Sequence, residues 1–153
     1  MNLKQSDADV MSEVLHLEDQ AELLRALEKV GAQEHAFTEA FYELFFERRP
    51  DTLPLFGVHS IPEREEMMRE TLHSLVALKE AEPWLEGNLL ALGDSHAEYG
   101  VTADMYDAYC EVFVDTAHQI LGDHLKDREL EALRIAVFEV ARLMRKAGTF
   151  DDR

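Results

Sequence analysis

The most informative stretch of the sequence is LGDSHAEYGV, at residues 92–101. His96 lies four residues after Leu92 and seven after Leu89, so the three side chains share one helix face. Leu85 extends the same stripe by another turn, and an apolar stripe of this kind faces a protein core. Periodicity alone favours a buried, neutral histidine bonded to a carbonyl group. The alternative interpretation is an axial ligand to a metal or a haem, for which neutral imidazole is the usual donor.

Helical spacing of apolar residues continues on both sides of this stretch, and runs of β-branched residues, which would indicate strands, are absent. We predict a first helix from about Leu17 to Gly31, because glycine is a natural C-terminal breaker. The last helix is predicted from about Lys126 to Ala147, with Gly148 as its stop.

Five further helices are predicted between these two. The aromatic run FYELFF at residues 41–46 marks the second, and Pro50 suits the first turn of a short third helix. Ser60 is predicted to cap the fourth helix and Thr102 the sixth, because both hydroxyls can accept a backbone N–H. Together with the helix of the opening stretch, this predicts an all-α protein of about seven helices.

The length of 153 residues fits one domain. We expect a polar N-terminal extension over residues 1–16, the domain itself over residues 17–148, and a C-terminal tail over residues 149–153. A chain of this size can bury a substantial core.

The chain is strongly acidic, with 15 Lys and Arg against 32 Asp and Glu and a net charge of −17. This balance argues against a nucleic-acid partner and against an anionic membrane surface, because both need clustered cations. No apolar stretch is long enough to span a membrane, and the N-terminus lacks the apolar segment of a signal peptide. We therefore expect a cytoplasmic protein.

Cys110 is the single cysteine, which excludes an internal disulfide and a thiolate metal cluster within one chain. Covalent haem attachment through Cys-x-x-Cys-His is excluded as well. The common nucleotide, hydrolase and metalloprotease motifs are absent. Glu-x-x-His occurs at residues 70–73 and 13–16, the spacing of di-iron bundles, but His73 lies off the apolar face and the first segment is only weakly patterned.

Two stretches in combination resemble a known family. The run FYELFF at residues 41–46, followed by PDTLPLF at residues 50–56, looks like the second helix and the following corner of a globin. LGDSHAEYGV, followed by Tyr106, is similar to the proximal helix and the next helix start of bacterial single-domain haemoglobins and of flavohaemoglobin globin domains. The resemblance covers roughly residues 17–147 and implies a globin fold of seven to eight helices around a haem cleft.

The resemblance also implies a site for one haem b (iron protoporphyrin IX). His96 matches the proximal histidine that binds the iron, and Phe56 matches the aromatic residue packed on the porphyrin. Tyr42 matches the distal tyrosine whose hydroxyl can donate to bound dioxygen. Tyr106 matches a proximal-side tyrosine that helps to orient the histidine. The remaining haem contacts that we infer on this side are Leu92 and Val101.

Counting along the capped helix places Arg64 at the gate position of the haem pocket and Met68 one turn further in, over the iron. We prefer this register because it turns two leucines inward, whereas a shift by one residue would turn Thr71 and Ser74 into the core. The gate residue is usually Gln or His, so arginine is a departure. Three interpretations of Arg64 stay open: a donor to a bound ligand, a partner of a haem propionate, or a solvated first-turn residue.

Two further features depart from the flavohaemoglobin pattern. Flavohaemoglobins carry a Glu behind the proximal histidine, near the end of the last helix, where this sequence aligns Phe150. Without that carboxylate, His96 should push less electron density onto iron, which weakens the case for peroxidase-like chemistry. The sequence to Arg153 includes no reductase domain, so we expect any turnover to need a separate reductase.

The resemblance therefore implies a haem protein that binds dioxygen, carbon monoxide and nitric oxide, as an oxygen carrier and as a monomer or homodimer. A hydrogen bond from Tyr42 would slow oxygen release by about ten- to a hundredfold, which favours nitric oxide dioxygenation with an external reductant. The alternative is a haem-based gas or redox sensor acting through a dimer or partner contact. The presence of His96, Phe56 and Tyr42 together argues against a globin-fold protein that has lost haem.

Overall fold

The computed structural model describes residues 17–56 and 60–147. Within these ranges the chain forms six α-helices and two 3-10 helices, without a strand, so the prediction of an all-α fold is confirmed. The α-helices are α1 (Leu17–Gly31), α2 (Glu34–Arg48), α3 (Ser60–Lys79), α4 (Leu85–Glu98), α5 (Ala103–Leu121) and α6 (Asp127–Ala147). The 3-10 helices are Pro50–Phe56 and Gly122–His124. No helix in the described ranges is long and apolar enough to cross a membrane.

The predicted helix ends agree with the structure where it describes them. α1 ends at Gly31, and the first 3-10 helix begins at Pro50. Thr102 occupies the N-cap position of α5 with extended backbone angles, but its side chain makes no capping hydrogen bond, contrary to the expected cap. The predictions for residues 1–16, for the Ser60 side chain and for residues 148–153 lie outside the described residues.

Aromatic side chains on α2 and α5 form the centre of the core. Phe37 and Phe41 lie one turn apart on α2, and both pack edge-on against Phe113 of α5, with ring centroids 5.1 and 6.2 Å apart. All three side chains are fully buried. Each such pair contributes about 0.5–1.5 kcal/mol beyond the burial of area. This packing fixes α2 against α5 and so forms one rigid wall of the cavity described below.

α4 crosses α6 at Gly93, where the two backbones come into contact. A Cβ atom on Gly93 would lie 2.0 Å from the carbonyl oxygen of Met144, a distance that carbon and oxygen cannot adopt. Only glycine, which has no side-chain carbon, permits this approach. Because His96 lies about one turn further along α4, the crossing fixes how close His96 lies to α6.

Glu129 is fully buried at the start of α6 and ties this helix to α1. Its Oε1 accepts hydrogen bonds from Lys29 Nζ at 2.6 Å and from the backbone N–H of Lys126 at 3.0 Å. Arg25 Nε lies 3.5 Å from the second carboxylate oxygen. Burial alone would raise the pKa of Glu129, but the hydrogen bonds from Lys29 and Lys126 hold it below its ordinary value.

Replacing Glu129 with glutamine should lower the free energy of unfolding at pH 7 by about 2 kcal/mol, because the charge-assisted bond to Lys29 is lost. Because the pKa of Glu129 is lower in the folded protein than in the unfolded chain, the charged carboxylate stabilises the folded state at pH values above 4.5, the ordinary pKa. That stabilisation is lost as the pH falls through the pKa of the folded state. Denaturant unfolding at pH 7 and at lower pH should therefore show a difference between wild type and variant that shrinks on acidification. Glu131→Gln, an exposed change on the same helix, serves as the control. A constant difference across this pH range would contradict the assignment.

Candidate functional site

A cavity of about 240 Å³ lies between α2, the first 3-10 helix, α3, α4, α5 and α6. Its wall is mostly apolar, which excludes water and strengthens any polar interaction made inside it. The apolar side chains on the wall are Phe45, Leu55, Phe56, Met67, Leu89, Leu92, Val101, Met105, Val137, Val140, Ala141 and Met144.

His96 lies on this wall and is partly buried. Its Nδ1 is 2.7 Å from the carbonyl oxygen of Leu92, one turn back on α4. A carbonyl oxygen only accepts hydrogen bonds, so Nδ1 carries a proton, and in the neutral ring Nε2 then keeps its lone pair. The sequence left open whether His96 is bonded to a carbonyl or is a ligand. The structure shows the bond to the carbonyl, and such a bond is also the one that fixes the tautomer and orientation of a metal-binding imidazole.

Tyr106 lies beside His96, and the two ring centroids are 6.2 Å apart. Its side chain is buried on the cavity wall, and this burial raises the pKa of Tyr106 to about 12, with partial compensation by Arg145. The phenol therefore stays protonated at neutral pH. Phe56, Leu92 and Val101 lie on the same wall, so the structure brings these predicted site residues together around one cavity.

Tyr42, Arg64 and Met68 are not among the residues that line the cavity. The Tyr42 side chain is almost fully buried and packs edge-on against Phe56, with centroids 5.5 Å apart. The guanidinium of Arg64 lies over the ring of Phe46, 4.9 Å from its centroid. Met68 is fully buried in the hydrophobic core. None of the three is therefore part of the cavity wall in this structure.

The α3 residues that line the cavity lie one position before those we expected there, whereas Leu75, one of the two leucines expected to turn inward, is fully buried. Met67, Thr71 and Ser74 line the cavity, and Met68 packs into the core instead. The prediction assumed that hydroxyl side chains would avoid an inward position. Thr71 tolerates it because its Oγ1 lies 2.9 Å from the Met67 carbonyl oxygen and 2.8 Å from the Tyr109 hydroxyl, so the buried oxygen is well bonded.

Tyr109 is a cavity residue that the sequence reasoning missed. Its ring lies edge-on to Phe41 and Phe45, with centroids 4.6 and 5.6 Å apart. Burial is the largest of several influences that raise its pKa above the ordinary value for tyrosine. The signal that could have found it is its spacing of three residues from Tyr106, which places both phenols on neighbouring turns of one helix face.

Acidic groups occur at the edge of the cavity rather than inside it. Glu63 and Glu70 line its α3 side and are exposed. In the part of the chain that the structure describes, no three His, Cys, Asp or Glu residues cluster as a metal-binding set. Cys110 is buried, and its thiol lies 3.5 Å from the Val137 carbonyl oxygen, with burial raising the pKa of the thiol to about 12. His96 is thus the group on this wall best suited to bind a metal ion that is already coordinated by a chelating group.

No protein-family model matches the chain, and no curated protein matches it. Among solved structures, 30 chains match. One is the flavohaemoglobin from Malassezia yamatoensis, whose crystal structure holds bound FAD and haem; the superposition has a TM-score of 0.72 at 21% sequence identity. The match covers 87% of this chain and 36% of the other, so this chain spans about a third of the length of that flavohaemoglobin. The order of helices, the cavity between them and this structural match together show that the chain has the globin fold.

Proposed function

We propose that the chain binds one haem b in the cavity and, through it, dioxygen or another diatomic gas. The observation that carries this proposal is the state of His96: its Nδ1 is tied to the Leu92 carbonyl, so that Nε2 keeps its lone pair inside an apolar cavity. The flavohaemoglobin that superposes on the chain holds haem, which supports the same group here.

The residues on the wall fit a flat, largely apolar macrocycle. Phe56 from the 3-10 helix and Leu89 and Leu92 from α4 provide apolar contact surfaces, and Val140 and Met144 of α6 add to them. A porphyrin supplies four nitrogen ligands of its own, so a site with one imidazole suits its iron better than it suits a bare metal ion. The buried Cys110 lacks the sequence context for covalent attachment, which favours the non-covalent b-type group.

Bound haem would supply an iron that takes up a diatomic gas, and the chain's own residues would control its surroundings. His96 would hold the iron through Nε2, with Tyr106 beside the imidazole restricting its rotation. The apolar wall would exclude water, which protects reduced iron from oxidation. The roles of Tyr42, Arg64 and Met68 on the distal side stay predictions for the loaded protein. For Arg64 the three interpretations are a donor to a bound ligand, a partner of a haem propionate and a solvated first-turn residue.

Reversible binding of dioxygen is the function we favour, with carbon monoxide and nitric oxide as further ligands and the cytoplasm as the compartment. Nitric oxide dioxygenation is the enzymatic extension, and it needs electrons from a separate reductase. A sensor acting through a dimer or partner contact is the alternative.

Titration of the purified protein with haem tests the proposal. We expect a Soret band that saturates at one haem per chain, and distinct ferric, ferrous and oxy spectra. Rapid consumption of nitric oxide by the oxy form, with re-reduction, would identify the enzyme, whereas a ligand-dependent change in oligomeric state would identify the sensor. A protein that binds no haem under these conditions would refute the proposal.

A further inference from the structure

We propose that Tyr109 is the hydrogen-bond donor to a polar ligand atom on the α3 side of the cavity, and that Thr71 and Tyr42 position it. This inference rests on the proposed function, because the ligand in question is the gas bound in this cavity. It assigns the contact to a residue of α5 rather than directly to Tyr42.

The phenol of Tyr109 is held rigidly on the cavity wall. Phe41 and Phe45 contact its ring edge-on, with centroids 4.6 and 5.6 Å away, so the ring has little freedom to swing. Its hydroxyl lies 2.8 Å from Thr71 Oγ1, and both residues line the cavity. A donor that is already fixed in place stabilises charge on a ligand without the cost of reorganisation.

The hydrogen bond between the hydroxyl groups of Thr71 and Tyr109 can run in either direction. Thr71 has one hydroxyl proton and two neighbours that can accept it, the Met67 carbonyl at 2.9 Å and the Tyr109 oxygen at 2.8 Å. When Thr71 donates to Met67, the proton of Tyr109 is directed to Thr71. Rotation of the Thr71 hydroxyl toward Tyr109 reverses the bond, and the Tyr109 proton is then free for a ligand. No covalent O–H bond breaks in this change: the Thr71 hydroxyl gives up its hydrogen bond to the Met67 carbonyl, and the new bond from Tyr109 to an accepting ligand replaces it.

Tyr42 supports this arrangement although it does not line the cavity. Its hydroxyl is enclosed and makes no well-formed hydrogen bond to the described residues, but it lies near enough to Tyr109 to interact with it. Burial, followed by the proximity of Tyr109, raises the pKa of Tyr42 above its ordinary value, so this phenol too keeps its proton. A shift of Tyr42 toward Tyr109 would let it donate to that oxygen and polarise the Tyr109 proton further.

Thr52, Cys110 and Tyr106, which also carry hydroxyl or thiol groups on the wall, are less suited to this role. Thr52 donates to the Arg49 carbonyl at 2.7 Å, and the Cys110 thiol is a weak donor directed at the Val137 carbonyl. Tyr106 lies beside His96, on the side where the imidazole is held. The geometry therefore points to Tyr109 as the donor that faces α3.

The first experiment uses the haem-free protein and tests the bond itself. Unfolding free energies of Tyr109→Phe, Thr71→Val and the double variant should be non-additive, with the double variant losing less than the sum of the single losses. Thr38→Val combined with Tyr109→Phe is the matched control, because Thr38 bonds the carbonyl four residues back in the same way but is not bonded to Tyr109. Additive losses in the Thr71 cycle would overturn the pairing.

The second experiment uses the haem-loaded protein with carbon monoxide and dioxygen as probes. Tyr109→Phe should raise the C–O stretching frequency and speed dioxygen release by about 10- to 100-fold, the factor for one charge-assisted hydrogen bond. Tyr42→Phe should give a smaller change in both, because it acts through Tyr109. If Tyr109→Phe leaves the C–O stretching frequency and the dioxygen release rate unchanged, or if Tyr42→Phe alone produces the full change in both, this inference is overturned. The proposed function still stands in either case, provided that the protein shows the haem spectrum. Failure of the wild type to take up haem overturns the proposed function, and this inference with it.

Discussion

Replacement of His96 with alanine should abolish tight haem binding and remove the Soret band that the wild type shows at the same haem concentration. The apolar wall would still attract the macrocycle, but the coordinate bond from Nε2 would be gone. Loss of a group that merely orients a metal ligand costs about 10- to 100-fold in affinity, so loss of the ligand itself should cost at least about 100-fold. Haem titration followed by absorbance measures this directly.

His118→Ala provides the matched control, because His118 is an exposed histidine on α5 away from the cavity. It should take up haem as the wild type does. In a His96→Gly variant, free imidazole should restore part of the spectrum, which separates loss of the ligand from loss of the fold. If His96→Ala stays as strongly coloured as the wild type, with an identical spectrum, His96 is not the iron ligand.

Replacement of Gly93 with alanine should lower the free energy of unfolding by about 3 kcal/mol, at the upper end of the range for an overpacked core site. The new methyl group would meet the Met144 carbonyl, 2.0 Å from the position of the Cβ atom. This neighbour is backbone rather than a flexible side chain, so α4 and α6 must move apart. The displacement would also move His96 and weaken haem binding. Denaturant unfolding with and without haem measures both effects.

Gly87 offers the control for this prediction, because it lies on the same helix with no atom near the position of an added methyl group. Gly87→Ala should stabilise the protein by up to about 1 kcal/mol, since alanine favours the helix. A Gly93→Ala variant as stable as Gly87→Ala would contradict the close crossing of α4 and α6.

The sequence predicts the helices well and places His96 on an inward-facing stripe, because both depend on local periodicity. His96 continues a stripe of leucines, and that stripe alone is enough to place its side chain inward. Gly93 lies in the same stretch, but its role arises from contact with a carbonyl about fifty residues later in the chain. No pattern within one helix can reveal such a contact between two backbones.

The distal side of the cavity could not be predicted with the same success. Adjacent methionines, Met67 and Met68, make two registers of α3 equally apolar at that point, and the choice between them depends on the surroundings of Thr71. Those surroundings are set by Tyr109 on α5, thirty-eight residues away in sequence. Side-chain hydrogen bonds between helices therefore decide the register, and apolar spacing does not contain that information.

The burial of the Glu129 carboxylate could not be predicted from the sequence either, because nothing local distinguishes it among 32 acidic residues. Its burial has a consequence for the response to ionic strength. The other carboxylates contribute to a net charge of −17, and their mutual repulsion is reduced by counterions. In the contact between Lys29 and Glu129 the carboxylate is fully buried while the Lys29 side chain is 33% exposed, so counterions weaken this contact less than one between two exposed groups. Added electrolyte should therefore relieve the repulsion more than it weakens this contact, so the folded state should gain stability as salt rises.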